Sequence, residues 1–277
     1  MRETTVRLSS HAVAIANRLP LVLIAGPCVI ETERRTLAIA AKLCSITRQA
    51  GLPFIFKASY DKANRSSIRS YRGPGLEEGL RILQKVKDTC NVPVVTDVHT
   101  VEEACRAAKI VDMLQVPAFL CRQTDLLVAC AATGLPVNVK KGQFLAPEDM
   151  GNIIEKIESK HNHRILLTER GSSFGYHNLV VDMRSMYTMK LTGYPVVFDA
   201  THAVQQPGGR GLTTGGRREF IKPLAMAATA LGIAGLFLEV HPDPSRALSD
   251  GPNSYALREL PVFLNEIVRL DRLIKSK

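Results

Sequence analysis

Eight short apolar runs alternate with longer amphipathic stretches along the chain, and this alternation constrains the fold more than any other feature. The runs occupy 21–26 (LVLIAG), 54–59 (FIFKAS), 92–98 (VPVVTDV), 113–117 (MLQVP), 136–142 (PVNVKKG), 164–170 (RILLTER), 195–201 (PVVFDAT) and 235–241 (GLFLEVH). Each is rich in Val, Ile, Leu or Phe and too short for a helix, as expected of parallel strands covered on both faces. Amphipathic stretches at 33–50, 76–89, 100–108, 124–133, 147–160 and 218–231 fall between them. Strand and helix alternating eight times predict an α/β chain of the (β/α)8 TIM barrel type, and 277 residues suit a fold that typically takes about 250. Ahead of the first run, residues 4–8 and 11–15 alternate about Ser9 and Ser10. They are expected to form a β-hairpin, within an extension over 1–20 that caps the barrel bottom. No internal repeat or linker divides the sequence, so 1–277 is read as a single barrel domain.

Composition narrows what such a barrel binds. Hydrophobic residues at 45% and charged residues at 22% match ordinary globular usage and exclude a disordered or collagen-like chain. No apolar run approaches the length of a membrane span, and residues 1–5 (MRETT) show no secretory signal pattern. The formal net charge is +10, but Lys and Arg are scattered, aromatics are 5% and Trp is absent. A nucleic-acid binder usually shows a basic stripe and stacking aromatics, so the excess charge points to anionic small molecules. The six cysteines, Cys28, Cys44, Cys90, Cys105, Cys121 and Cys130, form no C-x-x-C pair. Unpaired thiols suit a reducing cytoplasm. Cys44, Cys105 and Cys130 lie in Ala-rich helical stretches and are expected to be small core residues.

Polar residues cluster where the apolar runs end: Cys28, Lys57, Asp97 with His99, Gln115, Asn138 with Lys140 and Lys141, Glu169 with Arg170, Asp199 with His202, and Glu239 with His241. In a barrel these ends meet on one face, which carries the active site. Cys28, His202 and Glu239 come from neighbouring staves, and Asp250 follows the eighth run. Cys, His and two carboxylates suit a divalent first-row metal with an open position. A buried Cys, a capping Asp and a hydrogen-bonded His fit the same spacing. Two cationic groups, Lys57, Lys62 and Arg65 after the second run and Lys140, Lys141 and Arg170 after the fifth and sixth, point to two bound anions. The glycine-rich stretch 208–216 is either a mobile lid or a loose connection. Neither a Walker loop, a nucleophile elbow nor a dinucleotide fingerprint occurs.

Five segments carry a closer resemblance. Residues 24–31 (IAGPCVIE), 56–67 (FKASYDKANRSS), 138–144 (NVKKGQF), 169–171 (ERG) with 174–176 (FGY), and 199–202 (DATH) closely resemble the 3-deoxy-D-manno-octulosonate 8-phosphate synthase family. The resemblance runs in order from about residue 21 to the last helix. It implies a homotetrameric, cytoplasmic (β/α)8 enzyme that condenses phosphoenolpyruvate with D-arabinose 5-phosphate and water, releasing inorganic phosphate. The product feeds the lipopolysaccharide inner core. By the same resemblance, Lys57, Lys62, Gln115, Ala118, Lys140 and Arg170 contact phosphoenolpyruvate. Asn64, Arg65 and Ser66 form the arabinose 5-phosphate loop, completed by a neighbouring subunit. Lys62, Lys140, His202 and Asp250 take catalytic roles. One class of the family holds a divalent metal by Cys, His, Glu and Asp; the other has Asn for Cys and needs none. Cys28, His202, Glu239 and Asp250 match the metal-dependent class, and such donors accept Zn2+, Fe2+ or Mn2+. The nearest alternative is the related seven-carbon synthase that uses erythrose 4-phosphate, which typically has Lys-Pro-Arg-Thr where this chain reads Lys62-Ala63-Asn64-Arg65-Ser66. A second is a non-catalytic phosphosugar-binding barrel.

Overall fold

The computed structural model describes residues 3–8, 11–65, 67–210 and 213–276, without the side chains of 208–210 and 213–214. The hairpin turn at Ser9 and Ser10, and the loop residue Ser66, lie outside the described residues. The chain opens with an antiparallel pair, β1 (Val6–Arg7) and β2 (Ala14–Ile15). The strands β3 (Val22–Gly26), β4 (Phe54–Lys57), β5 (Val94–Asp97), β6 (Met113–Val116), β7 (Val137–Lys140) and β8 (Ile165–Glu169) follow. After a small pair, β9 (Ser172–Ser173) and β10 (Leu179–Val180), comes β11 (Val196–Asp199). A ribbon of β12 (Gln205–Arg210) and β13 (Thr213–Gly216) precedes β14 (Gly235–His241), and β15 (Tyr255–Ala256) extends the β14 edge. Strands β3 to β8, β11 and β14 pair in parallel in that order. β14 also pairs with β3, Leu236 against Leu23, which closes the barrel.

The helices α1 (Glu33–Ala50), α2 (Leu76–Cys90), α3 (Val101–Ala107), α4 (Thr124–Ala132), α5 (Met150–Glu158), α6 (Met183–Lys190), α7 (Ile221–Ala230) and α8 (Leu260–Lys275) cover the outside. The ends of α1 show why the sequence places helices there. The Thr32 hydroxyl accepts the Arg35 N–H at the start, and Gly51 takes the left-handed conformation at the end. No described helix is long and apolar enough to cross a membrane.

Strand alternation sorts the apolar side chains into two cores. Val22, Ile24, Ile55, Val95, Met113, Leu166, Val197 and Phe237 fill the barrel interior, and Val6, Leu8 and Ile15 of the hairpin join that same cluster. The expected bottom cap is therefore an apolar plug. Asn17 fastens it: its side chain donates to Tyr194 O and accepts from Val196 N, both at 2.9 Å. Leu23, Ala25, Phe54 and Phe56 face the helices instead.

Two expectations change. Cys105 is exposed while Cys130 is buried and Cys44 is half-buried, because α3 turns Ala104 and Ala107 inward. The glycine-rich stretch is largely paired strand, with Gln205 opposite Gly216. A Cβ at Gly216 would overlap the Asn253 side chain, so glycine there allows the ribbon to dock on the segment after β14.

Candidate active site

The strand ends open into a cavity of about 1020 Å³ lined by Lys57, Lys62, Gln115, Lys140, Arg170, His202 and Asp250, with Asn64, Arg65, Ala118 and His99 also in its wall. Close packing beneath it depends on Gly26, where any Cβ would overlap the Lys57 carbonyl oxygen.

Two buried aspartates organise the floor. Lys57 Nζ lies 3.1 Å from Asp97 and 3.5 Å from Glu239. Lys62 Nζ reaches the same carboxylates at 3.8 and 3.4 Å. Burial opposes the Lys62 charge, but Cys28, Glu239, Asp97 and Asp250 outweigh it and hold that ammonium well above its ordinary pKa. Burial likewise opposes ionisation of Asp97, yet Lys57 and Lys62 keep it well below the usual carboxylate range. From Asp97 a hydrogen-bond belt crosses four strands. Gln115 donates to Asp97 at 2.5 Å, Asn138 to Gln115 at 2.8 Å, and Thr168 to Asn138 at 2.6 Å. Such fully partnered polar chains rigidify a site.

Asp199 is the second hub. It pairs with Lys140 Nζ and takes His202 Nδ1 at 2.6 Å, the His202 backbone N–H at 2.9 Å and the Thr201 hydroxyl at 3.0 Å. Lys140 Nζ sits 3.2 Å above the centre of the Phe237 ring. Burial pulls the Lys140 ammonium down to about 8, against the opposing pull of Asp199. Burial opposes the Asp199 charge too, but His202 and Lys140 prevail and hold it far below the usual range.

Arg170 is buried with one nitrogen committed and one free for an anion. Nη2 donates to Gln205 at 2.6 Å, while Nη1 has no partner among the described residues. Glu169 fixes its backbone by accepting the Arg170 and Gly171 N–H groups at 2.9 and 2.6 Å. Lys141 departs from expectation. Its ammonium turns away from the cavity onto Leu145 O at 3.2 Å and Ser172 Oγ at 3.1 Å, 3.6 Å from Glu169. Successive strand residues point to opposite faces, so only Lys140 of the two faces the cavity.

Three of the four expected metal donors converge. Ligand atoms of Cys28, Glu239 and Asp250 lie within 4.8 Å of one another. His202 Nε2 stands 3.4 Å from Glu239 Oε1, with its other ring nitrogen held by Asp199. A carboxylate behind a ligating imidazole is the usual way its orientation is fixed. Burial, then Asp250 and Glu239, push the Cys28 thiol well up. Burial raises the Glu239 carboxyl, but His202, Lys62 and Lys57 bring it down to about 2, and its Oε2 is buried without a partner among the described residues. Acidic groups crowded against a thiol, with one buried oxygen unsatisfied, fit a divalent cation well.

The rim is made by loops. Asn64 is exposed. Arg65 donates to Tyr71 O at 3.1 Å and Leu248 O at 3.0 Å, and lies 3.8 Å from Asp250. Ala118 opens a short 3-10 turn after β6. Sequence reasoning gave no role to the hubs Asp97 and Asp199, although both stood among the strand-end polar residues. Phe237 carried no signal at all, since its place beneath Lys140 depends on barrel closure.

Fold and site together define a (β/α)8 barrel whose strand ends form a cationic, carboxylate-studded cleft. The chain matches the model of the DAHP synthetase I family over residues 3–276 and belongs to that family. It is 58% identical over 271 residues to the 2-dehydro-3-deoxyphosphooctonate aldolase of Trichlorobacter lovleyi, covering 98% of this chain and 100% of the relative. The Geobacter metallireducens protein of the same name is 60% identical over 256 residues, covering 92% and 94%. That of Geobacter sulfurreducens is 56% identical over 271 residues, covering 98% and 100%.

Proposed function

We propose that this chain condenses phosphoenolpyruvate with D-arabinose 5-phosphate and water to give 3-deoxy-D-manno-octulosonate 8-phosphate and inorganic phosphate, supplying the lipopolysaccharide inner core. The name shared by its near-full-length relatives, 2-dehydro-3-deoxyphosphooctonate aldolase, supports this reading. The observation that carries it in the molecule is the buried Arg170 Nη1, without a partner among the described residues, in the wall of a cavity that Lys140 and a separate cation, Arg65, also line. Two phosphorylated substrates need two such places in one cavity.

Phosphoenolpyruvate takes the floor: Lys57, Lys62, Gln115, Lys140 and Arg170 contact it, with the Ala118 backbone at its edge. Arabinose 5-phosphate takes the rim through Asn64 and Arg65, and the family resemblance assigns Ser66 to the same substrate. The enolpyruvyl C3 attacks the sugar aldehyde, water adds at C2, and the C2–O bond to phosphate breaks. Lys140, oriented by Asp199, stabilises charge or delivers a proton near the enolpyruvyl carbons. Lys62 bridges the two substrates' places and completes the catalytic set with His202 and Asp250. Cys28, His202, Glu239 and Asp250 would hold a divalent cation, Zn2+, Fe2+ or Mn2+. When bound, it supplies Lewis-acid polarisation of an oxygen or acidifies a water.

The protein acts as a homotetramer in the cytoplasm on this reading. Phe119, Phe144, Phe174 and Tyr176 stand exposed after β6, β7 and β8, the kind of apolar surface that subunits cover, and all six cysteines are free thiols. Light scattering tests the assembly. The family takes its name from the seven-carbon synthase, so the decisive assay compares sugars: arabinose 5-phosphate should support phosphate release and erythrose 4-phosphate should support little.

A further inference from the structure

Glu31 has no part in the machinery above, yet it joins three strand-end loops. It lies three residues beyond Cys28, and its side chain is only 4% exposed. Oε1 accepts the Leu248 backbone N–H at 2.9 Å, and His241 Nε2 lies 3.4 Å from that same oxygen. Oε2 pairs with Arg35 on α1. The Tyr71 hydroxyl donates to the carbonyls of Ile30 and Glu31, at 3.0 and 3.3 Å. One buried carboxylate thus ties the loop after β3 to the loop after β14, two residues before Asp250.

The backbone of Asp250 makes that hold consequential. Its φ of 47° and ψ of 31° are left-handed, a region that non-glycine residues use sparingly although Asp and Asn enter it more readily than most, so contacts from its surroundings help to hold it. Among the described residues, four side chains from elsewhere in the chain secure the segment besides its own turn. Cys28 Sγ meets Ser249 Oγ at 2.7 Å and Asp250 Oδ2 at 3.2 Å. Arg65 holds Leu248 O, and Arg218 donates to Gly251 O at 2.6 Å. Glu31 is the fourth. Cys28 and Arg65 have ligands of their own to take. Glu31 is not among the residues lining the cavity, so its grip persists whatever binds there.

We propose that Glu31 is a positioning residue of the metal site: by holding the Leu248 N–H it keeps the strained Asp250 aimed at Cys28 and Glu239. The inference rests on the proposed metal site, and its test separates the two. Metal-stripped full-length protein is titrated with Co2+, read by the thiolate-to-cobalt absorption band. Wild type should show the band and Cys28→Ala should lose it; a wild type without the band overturns the metal site and this inference with it. Glu31→Met, which keeps the length but not the acceptor, should weaken Co2+ binding about tenfold or more, the usual cost of losing an outer partner. Glu31→Asp, whose shorter carboxylate withdraws from Leu248, should do the same and carries the test where Glu31→Met does not fold. Glu31→Gln keeps an acceptor oxygen and should restore near wild-type affinity. Phosphoenolpyruvate binding by calorimetry should stay constant between wild type and the Glu31 variants. Unchanged Co2+ affinity in Glu31→Met and Glu31→Asp would overturn the positioning role while leaving the metal site standing. Glu31→Gln as weak as Glu31→Met would overturn it too.

Discussion

The floor and the rim of the cavity are held by different means. Floor residues stand on strand ends and grip residues of other staves: Lys57 holds Asp97 and Gln115 holds Asn138 on the next stave, and Lys140 reaches past β8 to Asp199. Rim residues stand on loops and are held mainly through carbonyl oxygens, as Arg65 holds Tyr71 O and Leu248 O. Ile68 at 92% exposure and Leu248 at 51% show how little apolar packing the rim enjoys. A network anchored to the sheet is preorganised before substrate arrives, which is what stabilising a developing charge requires. Loops adapt, which suits the capture of a flexible sugar phosphate. Floor substitutions should therefore damage turnover itself, and rim substitutions the requirement for one substrate.

The sharpest break in that contrast comes from Lys140→Met. It should lower kcat/KM about a thousandfold, roughly 4 kcal/mol of transition-state stabilisation, as steady-state kinetics with both substrates would register. An effect confined to one KM would erase the distinction. Metal removal comes next: chelation should cost about a hundredfold or more in activity, restored by Mn2+ or Zn2+. On the rim, Arg65→Ala should raise the KM for arabinose 5-phosphate about tenfold to a hundredfold, losing a charge-assisted contact of about 1.5–3 kcal/mol. The KM for phosphoenolpyruvate should barely move, and equal changes in both would merge floor and rim. A smaller effect follows from the Lys140 pKa near 8. As pH rises through 8 the ammonium is lost, so phosphoenolpyruvate binds more weakly. Because the anion favours the charged form, binding at pH 8 should take up a fraction of a proton, measurable by calorimetry in buffers of different ionisation enthalpy. Proton release would contradict the floor electrostatics. The smallest effect is expected from Tyr176→Ser at a side chain 95% exposed: melting temperature should hold at low protein concentration, where subunit contacts contribute least.

The sequence was most informative where one strand end speaks for itself. Near-continuous apolar runs announced all eight barrel strands, because strands covered on both faces must be apolar throughout. The same logic placed Lys57, Gln115, Lys140 and Arg170 on one face before any contact was known. Pairings across staves were not legible. That Asp97 answers Lys57, or that Phe237 lies under Lys140, depends on register and closure that no single run encodes. Lys141 was assigned to the wrong face because strand alternation was not carried through its own run. The glycine-rich stretch read as a loop because it pairs with itself and with Gln205 and Gln206 just ahead of it, with small residues that give no apolar alternation.

The proposed reaction is a condensation fed by two phosphorylated substrates in one cavity. Its most direct test is inorganic phosphate release by metal-replete protein given phosphoenolpyruvate with arabinose 5-phosphate, with erythrose 4-phosphate, and with no sugar. Release that requires arabinose 5-phosphate, with little from the four-carbon sugar and none without sugar, is the predicted result. Preference for erythrose 4-phosphate, or no release with either sugar, would contradict it.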